Sequence, residues 1–143
     1  MDILVREAAA ADGRGLAALL EQLGYRSSVE AVCGRLERFT RETHSRVLVA
    51  EVDGRLVGAA SLSVIPLLER DGRKCRLSAI VVDEGARGAG VGRALVEAVE
   101  AEARERDCIH VELTTSERRT GAHAFYRALG YEEVSKRFLK ALV

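Results

Sequence analysis

The sequence predicts an α/β fold: one central sheet of mixed strand direction with helices on both faces, in the order β-α-α-β-β-β-α-β-α-β. Three observations predict it. Segments with apolar residues at helical spacing are interleaved with segments of strand-like alternation. Two Asp-Gly pairs, Asp53-Gly54 and Asp71-Gly72, read as hairpin turns joining three successive strands. A glycine-rich turn then leads into a helix before the next strand, so the chain is not a simple βαβ series.

The elements follow in order. Residues 3–6 read as a short strand. Asp12 can cap a helix whose apolar face is Leu16, Leu19, Leu20 and Leu23, and Gly24 ends it. Ser27-Ser28-Val29-Glu30 has the pattern of a capping box, and Val29, Val32, Cys33, Leu36 and Phe39 form the buried face of the second helix. Residues 47–52 and 56–65 are strands, with Pro66 ending or edging the latter. In residues 74–82 the first half alternates, Cys75, Leu77 and Ala79 against Lys74, Arg76 and Ser78. Its second half, Ile80-Val81-Val82, is apolar on both faces, as in a central strand. Residues 91–106 are helical with Val91, Leu95, Val96 and Val99 inward. Ile109, Val111 and Leu113 alternate with His110, Glu112 and Thr114 in a further strand. Residues 117–129 are helical with Ala122, Phe125, Tyr126 and Leu129 on one face and Gly130 as the stop. Residues 134–142 read as a terminal strand.

The 143 residues fit one domain spanning residues 1–143. Acidic and basic residues number 22 each, and this balance argues against a nucleic-acid partner, which calls for a basic stripe. No apolar run approaches membrane-spanning length, and the N-terminus lacks the charged and apolar regions of a signal peptide. The expectation is a cytoplasmic protein with no membrane partner. Cys33, Cys75 and Cys108 are odd in number and widely spaced, which suggests reduced thiols rather than a disulfide framework. His44, His110 and His123 show no ligand spacing, so no metal is expected.

The chemistry concentrates in residues 80–95, where Ile80-Val81-Val82 leads through Asp83-Glu84-Gly85-Ala86 into Arg87-Gly88-Ala89-Gly90-Val91-Gly92-Arg93. Glycine lets backbone approach a ligand closely, and the free N–H groups of a helix start favour phosphate oxygens. The Gly-Lys-Ser/Thr ending of nucleotide hydrolases is absent. The dinucleotide fingerprint fails because its third glycine position holds Arg93. The remaining pattern, Arg87-x-x-Gly90-x-Gly92, resembles the pyrophosphate-binding signature of the GCN5-related N-acetyltransferases (GNAT). A second segment, Arg119-x-x-Ala122-His123-x-Phe125-Tyr126-x-x-x-Gly130-Tyr131, resembles the family's C-terminal motif. One helix and one strand separate the two, as in the family, and the predicted element order is also the family's.

The resemblance implies an acyl-CoA-dependent N-acyltransferase that moves the acetyl group of acetyl-CoA to a primary amine, the acceptor being a small molecule. The amine attacks directly through a tetrahedral intermediate, and Tyr126 maps onto the family's general acid. The other implied contacts with the donor are Ile80, Val81 and Val82 along the pantetheine arm, Arg87 to Arg93 at the pyrophosphate, and Phe125. The family splays the central strand from its neighbour at a bulge, leaving backbone free for that arm. No metal is implied, and homodimerisation through terminal strands is common in the family. Some members carry a glutamate eleven residues before the cradle arginine. Here that position is Arg76, which leaves Glu51, Glu112, His110 or a water chain as the general base. A non-catalytic acyl-CoA-binding module and a protein N-acetyltransferase are the alternatives.

Overall fold

The computed structural model describes residues 2–115 and 120–143, which divide into two compact units, residues 1–113 and 114–143. The first unit holds a five-stranded sheet in the order β1-β2-β3-β4-β5. Its strands are β1 (Leu4–Glu7), β2 (Ser45–Val52), β3 (Arg55–Pro66), β4 (Arg73–Val82) and β5 (Cys108–Leu113). The first four pair antiparallel and β5 joins β4 in parallel, so the sheet is mixed. The β2–β3 turn places both Asp53 (φ 51°) and Gly54 (φ 77°) in the left-handed region, as a two-residue hairpin of that twist requires.

Helices α1 (Gly13–Leu23) and α2 (Val29–Arg41) cover one face. Leu16, Leu19, Val32 and Leu36 pack there with Val49, Ala59 and Val81 from the strands. Helix α3 (Val91–Glu105) covers the other. Consecutive strand residues point to opposite faces, so Gly58, beside Ala59, looks toward α3. A Cβ on Gly58 would lie 2.9 Å from Val91 Cγ1 and 3.0 Å from Leu95 Cδ1. The absent side chain therefore sets how closely the start of α3 approaches the sheet. Val91, Leu95, Val96 and Val99 are all buried, as their spacing predicts. Cys75 is fully buried, and burial pushes its thiol up to about 11, so it remains a protonated packing residue. Among the described residues, no helix is long and apolar enough to cross a membrane.

Asp12 stands at the start of α1, but its carboxylate does not cap the helix. It accepts from Arg6 at 2.8 and 3.0 Å and from the Ala9 N–H at 2.7 Å. The Arg6 hydrogen bonds hold its pKa below the usual carboxylate range, against burial, which acts the other way. The stability it contributes is therefore full above the unfolded carboxylate value of about 3.9 and is lost as pH falls through the lowered folded value. Asp12→Asn should cost about 2 kcal/mol in urea unfolding at pH 7, and the gap to the parent should close in acid.

The second unit contains α4 (Thr120–Ala128), closed by Gly130 at φ 92° and by the Tyr131 N–H donating to the Tyr126 carbonyl at 3.0 Å. Within the second unit taken by itself, residues 134–142, expected as a terminal strand, show no strand among the described residues.

Candidate active site

The first unit opens where β4 leaves β5. Pairing with β3 continues to the end of β4, with Gly58 opposite Val82. Pairing with β5 runs from Arg73 opposite Cys108 only to Leu77 opposite Leu113. Opposite β3, Ser61 faces Ala79 and Leu62 faces Leu77, so Ser78 is the extra residue of a bulge. A bulge bends its strand and sharpens the local twist, which turns β4 away from β5. The Ser78 and Ser61 hydroxyls hydrogen-bond at 2.8 Å across it. Past this point Ile80, Val81 and Val82 are held by β3 on one side, and no strand among the described residues pairs with them on the other. Val81 is buried against α1, and Ile80 and Val82 are half-buried.

Beyond β4 a single 3₁₀ turn, Glu84–Ala86, is capped by the Asp83 carboxylate, which accepts from the Gly85 N–H at 3.1 Å. Arg87, Gly88, Ala89 and Gly90 follow, all exposed. Gly88 (φ 83°) and Gly90 (φ 89°) adopt left-handed backbone, which explains glycine at both positions. Gly90 is the N-cap of α3, and no side chain caps the helix. Its first ladder bond runs from Ala94 N to Gly90 O at 3.0 Å, so the N–H groups of Val91, Gly92 and Arg93 precede the ladder. The first turn of α3 carries no acidic residue. A Cβ on Gly88 or Gly90 would meet nothing within 4 Å, so the space before these amides is open. Open space, unladdered donors, the positive end of the helix dipole and the nearby Arg87 together fit a phosphate-bearing group. The exposed Arg93 guanidinium pairs with Glu97 at 3.1 Å, one turn along α3.

The structure thus brings together Ile80, Val81, Val82 and Arg87 to Arg93. Phe125 and Tyr126 lie on α4 in the second unit. Tyr126 is buried, in edge-to-face contact with Phe125 (ring centroids 5.1 Å apart) and Tyr131 (5.9 Å). Arg119 falls outside the described residues.

Both carboxylates considered as bases are engaged by cations. Glu51 pairs with Arg6 at 3.3 Å. Glu112 Oε1 receives Lys74 at 3.0 Å and Arg76 at 3.5 Å. Burial alone would raise the Glu112 pKa, but the hydrogen bond and charge of Lys74, with Arg76 and His110, outweigh it and hold it below the usual range. His110 is exposed on β5, in register with Lys74. Sequence reasoning did not place the bulge at Ser78, and no signal in the residues marks it. Nor does it find the contacts that Gln22 makes with the Asp83 carboxylate and the Glu84 N–H, 61 and 62 positions away.

The model of the acetyltransferase (GNAT) family matches residues 10–131. The chain belongs to this family. A glucosamine 6-phosphate N-acetyltransferase of Trypanosoma brucei brucei is 36% identical to this GNAT chain over 88 residues, 61% of the chain and 58% of that relative's length. The solved structure of an acetyltransferase from Trypanosoma brucei is 27% identical, with a TM-score of 0.83 over 99% of this chain and all of that one. A transcriptional regulator from Bacillus halodurans C-125 superposes with a TM-score of 0.91 over 99% of this chain and all of its own, at 21% identity. That likeness shows the GNAT fold alone.

Proposed function

We propose that the protein is an acyl-CoA-dependent N-acetyltransferase acting on a small primary amine. The observation that carries this reading is the continuity of the open edge of β4 with the cradle at the start of α3. An extended apolar-and-amide arm would lie along Ser78–Val82, and its diphosphate would meet the N–H groups of Val91, Gly92 and Arg93. When bound, acetyl-CoA supplies an activated acyl carbon and a thiolate leaving group. The chain supplies the rest. Backbone N–H groups of Ile80–Val82 hold charge developing on the acyl oxygen. The Tyr126 hydroxyl delivers a proton to the departing sulfur. With Glu51 and Glu112 committed to cations, His110 or a water chain takes the proton from the incoming ammonium.

The likeness to a glucosamine 6-phosphate N-acetyltransferase favours an amino-sugar phosphate as the first acceptor to try. Calorimetry with acetyl-CoA, followed by thiol release over a panel of amines including glucosamine 6-phosphate, tests the reading. Binding, with thiol release on at least one amine, is expected. No binding overturns the reading. Binding with no release on any amine favours the non-catalytic acyl-CoA module instead.

A further inference from the structure

We propose that Gln22 is a positioning residue for the donor site: its side-chain amide locks the turn that carries the cradle onto helix α1. The inference rests on the reading of that turn as the acetyl-CoA site. Both ends of the amide are used. Nε2 donates to Asp83 Oδ1 at 2.7 Å, and Oε1 accepts from the Glu84 N–H at 2.9 Å. The other Asp83 oxygen accepts from the Gly85 N–H at 3.1 Å and faces the Arg55 guanidinium at 3.7 Å. The Asp83 N–H donates to the Val57 carbonyl at 2.8 Å. One carboxylate therefore gathers α1, β3 and its own turn.

The turn needs such a tie. Between Asp83 and Val91 only Ala86 is buried, and two of the following four residues are left-handed glycines, the backbone with most freedom to lose. A cradle of backbone amides binds an anion well only if those amides are already aimed. Among common side chains, the primary amide is the one that presents a donor and an acceptor side by side, as Asp83 and the Glu84 N–H demand. Glutamate would set a carboxylate against Asp83. A residue that merely decorated the surface of α1 would not engage two partners on one distant turn with opposite polarity.

The polarity gives the test. In Gln22→Glu, oxygen opposes oxygen. In Asp83→Asn, the new amide nitrogen opposes either Gln22 Nε2 or the Gly85 N–H. In the double variant Gln22→Glu/Asp83→Asn, the amide introduced at position 83 donates to the carboxylate introduced at position 22, the Glu84 and Gly85 N–H contacts are kept, and the exposed Arg55 ion pair is the one contact given up. Each single variant should bind acetyl-CoA about tenfold more weakly by calorimetry, and the double variant should return to within about threefold of the parent. Turnover at saturating donor should not change. Amide exchange across residues 84–90 should quicken in the single variants and recover in the double, with or without ligand. Single variants matching the parent in both affinity and exchange overturn the clamp, as does a double variant that fails to recover. A parent that does not bind acetyl-CoA sinks the donor-site reading, while the exchange pattern still decides whether the clamp exists.

Discussion

Replacing Gly90 with glutamate should weaken acetyl-CoA binding by more than about 100-fold, while the protein remains folded. Three effects combine. Gly90 sits at φ 89°, where an L-residue costs about 1–2 kcal/mol. The added side chain meets no protein atom within 4 Å, so nothing in the core must move and the folding cost stays near that strain. The new carboxylate does, however, enter the open space before the N–H groups of Val91, Gly92 and Arg93. There it caps the helix itself and repels a diphosphate. Gly90→Ala carries the same backbone strain without the charge and should lose far less affinity. Calorimetry on both variants, with melting temperature as the folding check, reads the result. If Gly90→Glu binds like the parent, the diphosphate is not held at the start of α3.

Tyr126→Phe should lower turnover by about 100-fold or more and leave acetyl-CoA affinity unchanged, the magnitude typical of a lost general acid. The ring survives the substitution, so the edge-to-face contacts with Phe125 and Tyr131 are kept and folding should be little affected. Only the proton donor is removed. Because the leaving group is a thiolate with a pKa of about 8.5, some turnover should persist without assistance. Turnover equal to the parent's at saturating substrates would remove Tyr126 from the chemistry.

The parts of the fold legible in the sequence are those written by local rules. The face of α3 was readable because Val91, Leu95, Val96 and Val99 answer to one periodicity and one burial surface. The cradle was readable because left-handed backbone leaves glycine in the sequence at Gly88 and Gly90. Long-range partners leave no such trace. Asp12 has the composition of a helix cap, yet Arg6 on a neighbouring strand claims its carboxylate. The capping-box pattern Ser27-Ser28-Val29-Glu30 would make Ser27 the cap of α2, but the cap is the next serine. Ser28 caps the helix by accepting from the Ala31 N–H, while Ser27 accepts from Arg35. At the site, the pairing of Lys74 with Glu112 depends on parallel register, and the Gln22–Asp83 contact spans 61 positions. Neither is visible until the sheet is assembled.

Where β4 parts from β5, Ile80–Val82 keep one backbone edge with no strand partner among the described residues. Strands usually satisfy their backbone within the chain, and an unsatisfied stretch invites any extended molecule that can supply the missing ladder. On the proposed reading the donor's arm is that molecule, a removable strand. Ligand that binds only the folded form stabilises it by mass action, by about 2.7 kcal/mol at a hundred times its dissociation constant. The folded population would then track the supply of donor, and starvation for acyl-CoA would be felt as conformational loosening around Ser78–Val82 before it was felt as lost turnover.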